Sequence, residues 1–222
     1  MKIKILYDDE VTADIKKVIP AHGFSCVIEE DEDRILFDTG WDSRILSNNA
    51  SIVGVDLEGI DKIVISHAHW DHMGSLPALL PLNERSNKKI YFPSATENMR
   101  KEIKQRADLI TEKESVEVIR GVYTTGLMGK EIKEQSLLIY DDKGLVIITG
   151  CAHQGVDNIL ERSRELFGAK VYALIGGLHG FSDLDLLRDI ELIVPCHCTV
   201  EKERIRSGFN SLICGVGTEI EI

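Results

Sequence analysis

The sequence predicts a mixed α/β protein, one domain over residues 1–222 with helices packed outside its sheets. Three observations point there. Short β-rich runs alternate with segments of helical period, and the order strands, helix, strand-to-helix in the first half recurs in the second. Neither an internal repeat nor a low-complexity linker interrupts the 222 residues. A chain of this length buries roughly 70% of its unfolded surface, and 43% hydrophobic with 28% charged residues is ordinary globular composition.

The elements follow in order. Lys2–Tyr7 alternates polar and apolar residues, Phe24–Glu29 does so loosely, and Arg34–Phe37 is a compact apolar run; the acidic tip Glu30-Asp31-Glu32-Asp33 reads as a solvated hairpin turn between the last two. Asp42 to Asn48 reads as a helix with Asp42 or Ser43 as N-cap, Ile60–Ser66 as a β-branched strand, and Asp71 to Leu80 as a helix closed by Pro81. Lys89–Phe92 is a further strand and Ala95–Arg106 a charged surface helix. Strands are expected over Val116–Tyr123, Ser136–Tyr140 and Leu145–Ile148, the last two joined by a turn at Asp141-Asp142-Lys143-Gly144. Val156, Ile159, Leu160, Ser163 and Leu166/Phe167 have helical spacing, stopped by Gly168. Val171–Ile175 and Leu192–Val194 read as strands, Asp183–Asp189 and Val200–Ile205 as helices, and Leu212–Cys214 with a tail to Ile222 as β.

Charge narrows the function classes. A formal net charge of −11 repels phosphate backbones and anionic lipid, which argues against nucleic-acid and membrane partners. The expected partner is a small-molecule substrate, and an anionic one would need local positive charge, which bound metal supplies. No apolar run approaches the roughly 18 residues of a membrane span, and the N-terminus turns acidic at Asp8-Asp9-Glu10. A cytoplasmic location is the expectation. Five cysteines, an odd count without a Cys-x-x-Cys pair, make a poor disulfide framework. Nothing in the pattern fixes an oligomeric state.

The chemistry gathers at strand ends. His67-Ala68-His69-Trp70-Asp71-His72 follows a buried strand and leads into a helix. Imidazoles at i and i+2 leave a strand on the same side and can share an ion, while Asp71 and His72 suit a neighbouring one. Such donors fit zinc first, with iron or manganese as alternatives. Downstream, Thr149-Gly150-Cys151-Ala152-His153, Gly176-Gly177-Leu178-His179 and Pro195-Cys196-His197-Cys198 also end strands. Cys151 reads either as a buried strand-end cysteine or as a residue at a metal, and His22 either as part of a substrate pocket or of a surface turn. A structural zinc on Cys196-His197-Cys198 would lack a fourth ligand.

His-x-His-x-Asp-His after a strand resembles the signature of the metallo-β-lactamase superfamily. The resemblance covers nearly the whole chain and implies a four-layer αββα sandwich with a dinuclear metal centre at the sheet edge. Asp38-Thr39-Gly40 resembles the early family segment whose aspartate orients a metal-binding histidine. His197 matches the last metal histidine. Two departures stand out: residues 91–150 hold no histidine where many relatives have one, and Cys151 occupies the place of a metal-bridging aspartate. His153, two residues on, could replace the missing ligand. The resemblance then implies His67, His69 and His153 on one ion, and Asp71, His72 and His197 on the other. Asp71 and His179 are the candidate catalytic groups, and Asp38, Cys151 and His22 stand behind them or at the substrate. The segments around Cys151, His179 and His197, with His22 and Glu134-Gln135-Ser136-Leu137, resemble a branch of metal-dependent hydrolases (β-lactamase superfamily II). That branch includes the archaeal dihydropterin–ribofuranosylaminobenzene phosphate synthases. It implies hydrolysis of an ester, amide or phosphoester by a metal-bridged hydroxide. A transferase of the synthase type is the alternative, and a mononuclear iron redox protein a third reading.

Overall fold

The alternating strand Lys2–Tyr7 and the acidic hairpin turn at Asp31-Glu32 start the first sheet, as the sequence leads one to expect. In the computed structural model, residues 1–12 and 15–222 are described, and the chain forms two compact units: Met1–Thr111 with Gly215–Ile222, and Glu112–Cys214.

The first unit contains β1 (Lys2–Tyr7), β2 (Ser25–Glu30), β3 (Asp33–Phe37), α1 (Ser43–Ile52), β4 (Lys62–Val64), α2 (Trp70–Met73), α3 (Leu76–Leu79), β5 (Lys89–Tyr91), α4 (Glu97–Arg106), β6 (Asp108–Ile110) and the last strand, β13 (Glu219–Glu221). Its sheet runs β13-β1-β2-β3-β4-β5-β6. Pairing is antiparallel as far as β3 and parallel from β3 to β6. Leu36, Ile63, Ile65, Ile90 and Phe92 bury against Leu46 and Ala50 of α1 and against Leu76. The parallel segment matters for function, because ligand sites of such sheets lie beyond the carboxyl ends of the strands. Asp38 follows β3 there, and Ser66-His67 follows β4.

The second unit contains β7 (Glu117–Ile119), β8 (Val122–Thr124), β9 (Leu137–Asp141), β10 (Gly144–Thr149), α5 (Val156–Phe167), β11 (Val171–Gly177), a 3-10 turn (Leu184–Leu187), β12 (Leu192–Cys196) and α6 (Lys202–Gly208). Its sheet runs β12-β11-β10-β9-β8-β7, with β10, β11 and β12 parallel. The apolar stripe of α5, Val156, Ile159 and Leu160, buries with Ile147, Leu174 and Ile193. Cys151, His179 and His197 follow the carboxyl ends of these three parallel strands.

Several local expectations need correction. The helix expected from Asp71 to Leu80 is two short ones: Ser75 donates its N–H to the Gly40 carbonyl, and Pro77 has no N–H for the carbonyl four residues back. Val116–Tyr123 is not one strand, because a turn at Arg120-Gly121 folds it into the β7–β8 hairpin. Leu212–Cys214 lies outside any regular strand, and Asp183–Asp189 contains only the 3-10 turn. β6 was not expected; three residues without alternation carry little signal. The cysteine count also misleads, since Cys196 and Cys214 form a disulfide with Cα atoms 5.3 Å apart. Among the described residues no helix is long and apolar enough to cross a membrane.

Candidate metal centre

In the first unit a single buried carboxylate organises the histidines. Asp38 is fully buried with φ of 56°, a left-handed conformation that few non-glycine residues adopt. Its Oδ1 accepts the Ser66 N–H at 2.7 Å, and its Oδ2 accepts the Ser66 hydroxyl at 2.7 Å. The Ser66 hydroxyl has one proton, which points to Asp38, so its oxygen accepts from His67 Nδ1 at 2.8 Å. His72 Nδ1 donates directly to Asp38 Oδ2 at 2.7 Å. An acceptor-only carboxylate thus sets the tautomer of both rings, putting the lone pair on Nε2 of each.

Those lone pairs face one cluster. His67 Nε2 lies 3.0 Å from His69 Nδ1, the His67 and His72 rings are 4.2 Å apart, and His72 Nε2 is 3.6 Å from Asp71 Oδ2. His67 and His72 are fully buried and Asp71 nearly so. Imidazole nitrogens set by hydrogen bonds behind them, with a carboxylate alongside, fit a divalent ion by donor chemistry. His22 is exposed, bridging Asp9 Oδ2 and Asp71 Oδ2 at 3.4 Å each. Gly23 beside it has φ of 139°, and a Cβ there would stand 2.4 Å from the Asp71 carbonyl, so only glycine lets this loop lie on α2.

The second unit gathers its candidates from three strand ends. Ala152, His179 and His197 all have positive φ, at 58°, 46° and 45°. Backbone strain of this kind concentrates at functional sites. Cys151, a nitrogen of His197 and the Cys198 sulfur lie within 4.8 Å of one another. His153 is half-buried with its ring 5.0 Å from that of the exposed His179. His153 and Gln154 line a cleft of about 670 Å³ together with Met128, Ile132 and Lys130.

Of three further residues in these clusters, Ser66 escapes the sequence reading, while Glu134 and Cys198 appear in it without their roles here. Ser66 links Asp38 to His67, yet a serine before a histidine has no signature. Glu134 is fully buried, and its carboxylate accepts backbone N–H groups of Cys151, Ala152 and His153 at 2.8, 3.0 and 2.9 Å. An acidic residue three positions before the apolar β9 was the available signal. Cys198 is the third. Among the cations that follow His197, Arg204 and Arg206 are paired with Glu201 and Glu203. Lys130 is the cation that lines the cleft.

Comparisons with known proteins identify the family and the fold. The model of the metallo-beta-lactamase superfamily matches residues 18–197. An uncharacterised protein of Methanocaldococcus jannaschii is 29% identical, over 96% of both chains. The 7,8-dihydropterin-6-methyl-4-(beta-D-ribofuranosyl)-aminobenzene-5'-phosphate synthase of the same organism is 27% identical, over 71% of this chain and 70% of its own. Among solved structures, Tm1679, described as a metal-dependent hydrolase of the beta-lactamase superfamily, superposes with a TM-score of 0.76 at 25% identity, covering 100% of this chain and 99% of its own. The metallo-beta-lactamase fold protein YhfI of Bacillus subtilis shares the fold, with a TM-score of 0.71 at 14% identity over 99% of both chains.

Proposed function

Because the chain belongs to the metallo-β-lactamase superfamily, we propose that it is a metal-dependent hydrolase of a small ester, amide or phosphoester. The observation that carries this is the Asp38 network, which presets the Nε2 lone pairs of His67 and His72 in a buried cluster with His69 and Asp71. The proposed metal donors are His67, His69, Asp71 and His72 in the first unit and His153 and His197 in the second, with zinc as the first choice. When bound, a pair of divalent ions would supply hydroxide from water at neutral pH and polarise the carbonyl or phosphoryl oxygen of the substrate.

The chain's own residues do the rest. Asp38 and Ser66 hold the imidazoles of His67 and His72 in their ligating tautomers before an ion is taken up. His179, exposed beside His153, delivers a proton to the leaving group or binds the substrate. Lys130 at the cleft wall supplies the positive charge that an anionic substrate needs against a net charge of −11.

A second reading is favoured by one relative. The similarity to the dihydropterin synthase favours a metal-dependent transferase acting through the same candidate donors, in place of a hydrolase. Protein purified without chelator or histidine tag should contain two divalent ions per chain. His69→Ala and His72→Ala should lose both metal and activity, and full activity in either variant overturns the assignment. A panel of esters, lactones, phosphodiesters and a pterin diphosphate separates hydrolase from transferase. Lys130→Ala should raise KM several-fold for the anionic substrates alone.

A further inference from the structure

We infer that Cys151 and Cys198 are thiolate ligands of the ion that His197 holds, giving the second unit a two-sulfur, one-imidazole site selective for zinc-like ions. This rests on the metal-dependent reading above and makes it more specific: it names two donors the ligand set did not contain. Four observations carry it.

The sulfurs of Cys151 and Cys198 are 3.3 Å apart across 47 residues of sequence. Two sulfurs on one tetrahedral zinc, each at ~2.3 Å, stand about 3.8 Å apart, whereas a disulfide brings them to ~2.05 Å. The observed spacing is nearer the first. A His197 nitrogen falls in the same group, all within 4.8 Å, so the three donors meet the size of one coordination sphere. Cys196, the other sulfur of the Cys196-His197-Cys198 run, is committed to Cys214 and leaves this pair to act together.

The backbone is shaped to bring them there. Gly177 ends β11 where a Cβ would stand 2.8 Å from the Cys198 sulfur, 3.3 Å from the Cys151 Cα and 2.3 Å from the Gly150 carbonyl. Its missing side chain is the space that the Cys198 thiol occupies. Glu134 binds the N–H groups of residues 151–153 and turns the Cys151 loop through the left-handed Ala152. His197, also left-handed, makes the reversal that sets Cys198 beside it. Buried Cys151 and half-buried Cys198 therefore meet through two strained turns and one glycine.

The consequence is selectivity. Thiolates favour zinc and cobalt over manganese and magnesium, so the sequence departure at Cys151 becomes a device for choosing the metal.

The test is optical. The full chain, purified anaerobically and stripped with chelator, is titrated with Co²⁺. The expected result is a sulfur-to-cobalt charge-transfer band in the near ultraviolet that grows with bound cobalt. Cys151→Ser and Cys198→Ser should each remove about half of its intensity, one thiolate of two. Visible cobalt bands without the charge-transfer band overturn the thiolate ligands while leaving the metal centre intact. Absence of any bound cobalt overturns both readings, and a Cys151–Cys198 disulfide in the anaerobic protein overturns this one. Should a serine variant fail to fold, the wild-type chain still decides: Zn²⁺ must protect Cys151 and Cys198 from iodoacetamide, located by peptide mass mapping. Cys26 is the internal control, since burial pushes its thiol well above the usual range and leaves it unreactive.

Discussion

The donor groups of the two units are built in opposite ways. In the first, three histidines and an aspartate come from six consecutive residues, and one carboxylate, Asp38, fixes two rings from behind. In the second, the donors come from three separate strand ends, and one carboxylate, Glu134, fixes the backbone instead of the side chains. Asp38 sets tautomers and Glu134 sets a loop. Precision over protons suits histidine ligands, while precision over backbone suits a turn that must deliver Cys151 and His153 from positions two residues apart.

Removing each carboxylate should separate these roles, and the largest effect belongs to Asp38. Asp38→Ala leaves the Ser66 N–H without its acceptor in a fully buried position, at a cost of roughly 1–3 kcal/mol, and should lower metal affinity by about 10–100-fold. Asp38→Asn is the sharper variant. Its amide oxygen can still accept the Ser66 N–H, but its amide nitrogen would face His72 Nδ1 and force the proton to Nε2. The variant should therefore keep most of the stability and lose the affinity, as read by thermal unfolding and by competition with a chelating dye. Equal losses in both variants would refute the tautomer role.

Glu134 should show the reverse pattern. Glu134→Ala strands up to three buried N–H groups, so its Tm should fall by at least one group's worth, roughly 1–3 kcal/mol at roughly 2–4 °C per kcal/mol. Glu134→Gln keeps one acceptor oxygen and should recover part of that. Neither change touches an imidazole nitrogen directly, so the loss of metal affinity should track the loss of stability across the pair. A Glu134 variant with native Tm and weakened metal binding would break the distinction.

The same contrast explains what could be read in advance. The first group was legible because its residues are contiguous and sit between a β-branched strand and a helix start, so local spacing alone brings His67, His69, Asp71 and His72 together. Most strands were legible for the same reason, being runs of four or more apolar or alternating residues. The second group was legible at the histidines and, as one of two readings, at Cys151. Cys198 acquires meaning from Cys151, 47 residues away, and Glu134 from the N–H groups of a loop 17 to 19 residues on. The break between α2 and α3 was hidden because Ser75 is drawn to Gly40, a partner that helical periodicity does not contain. The Cys196–Cys214 disulfide was hidden by the count of five, which says nothing about distance.

A third carboxylate completes the series and should give the smallest effect. Asp42 caps α1, accepting the Arg44 N–H at 2.9 Å, as Glu134 and Asp38 accept backbone N–H groups, but this bond lies exposed at the surface. The Arg44 side chain, hydrogen-bonded to it, and the Arg44 N–H hold its carboxyl at about 2, below the ordinary 3.8. A carboxylate lowered on folding stabilises the protein above its unfolded value, and that contribution disappears as the pH falls through the folded one. Asp42→Ala should therefore cost a small loss of Tm at pH 7 that shrinks between pH 3.8 and about 2, with metal content unchanged. Water replaces the lost acceptor at the N-terminus of α1, whereas no solvent reaches Ser66 beside Asp38. Burial, and not the number of hydrogen bonds, separates the carboxylate that caps a helix from the two that hold donors in place. A loss at Asp42 as large as that at Glu134 would overturn that ranking.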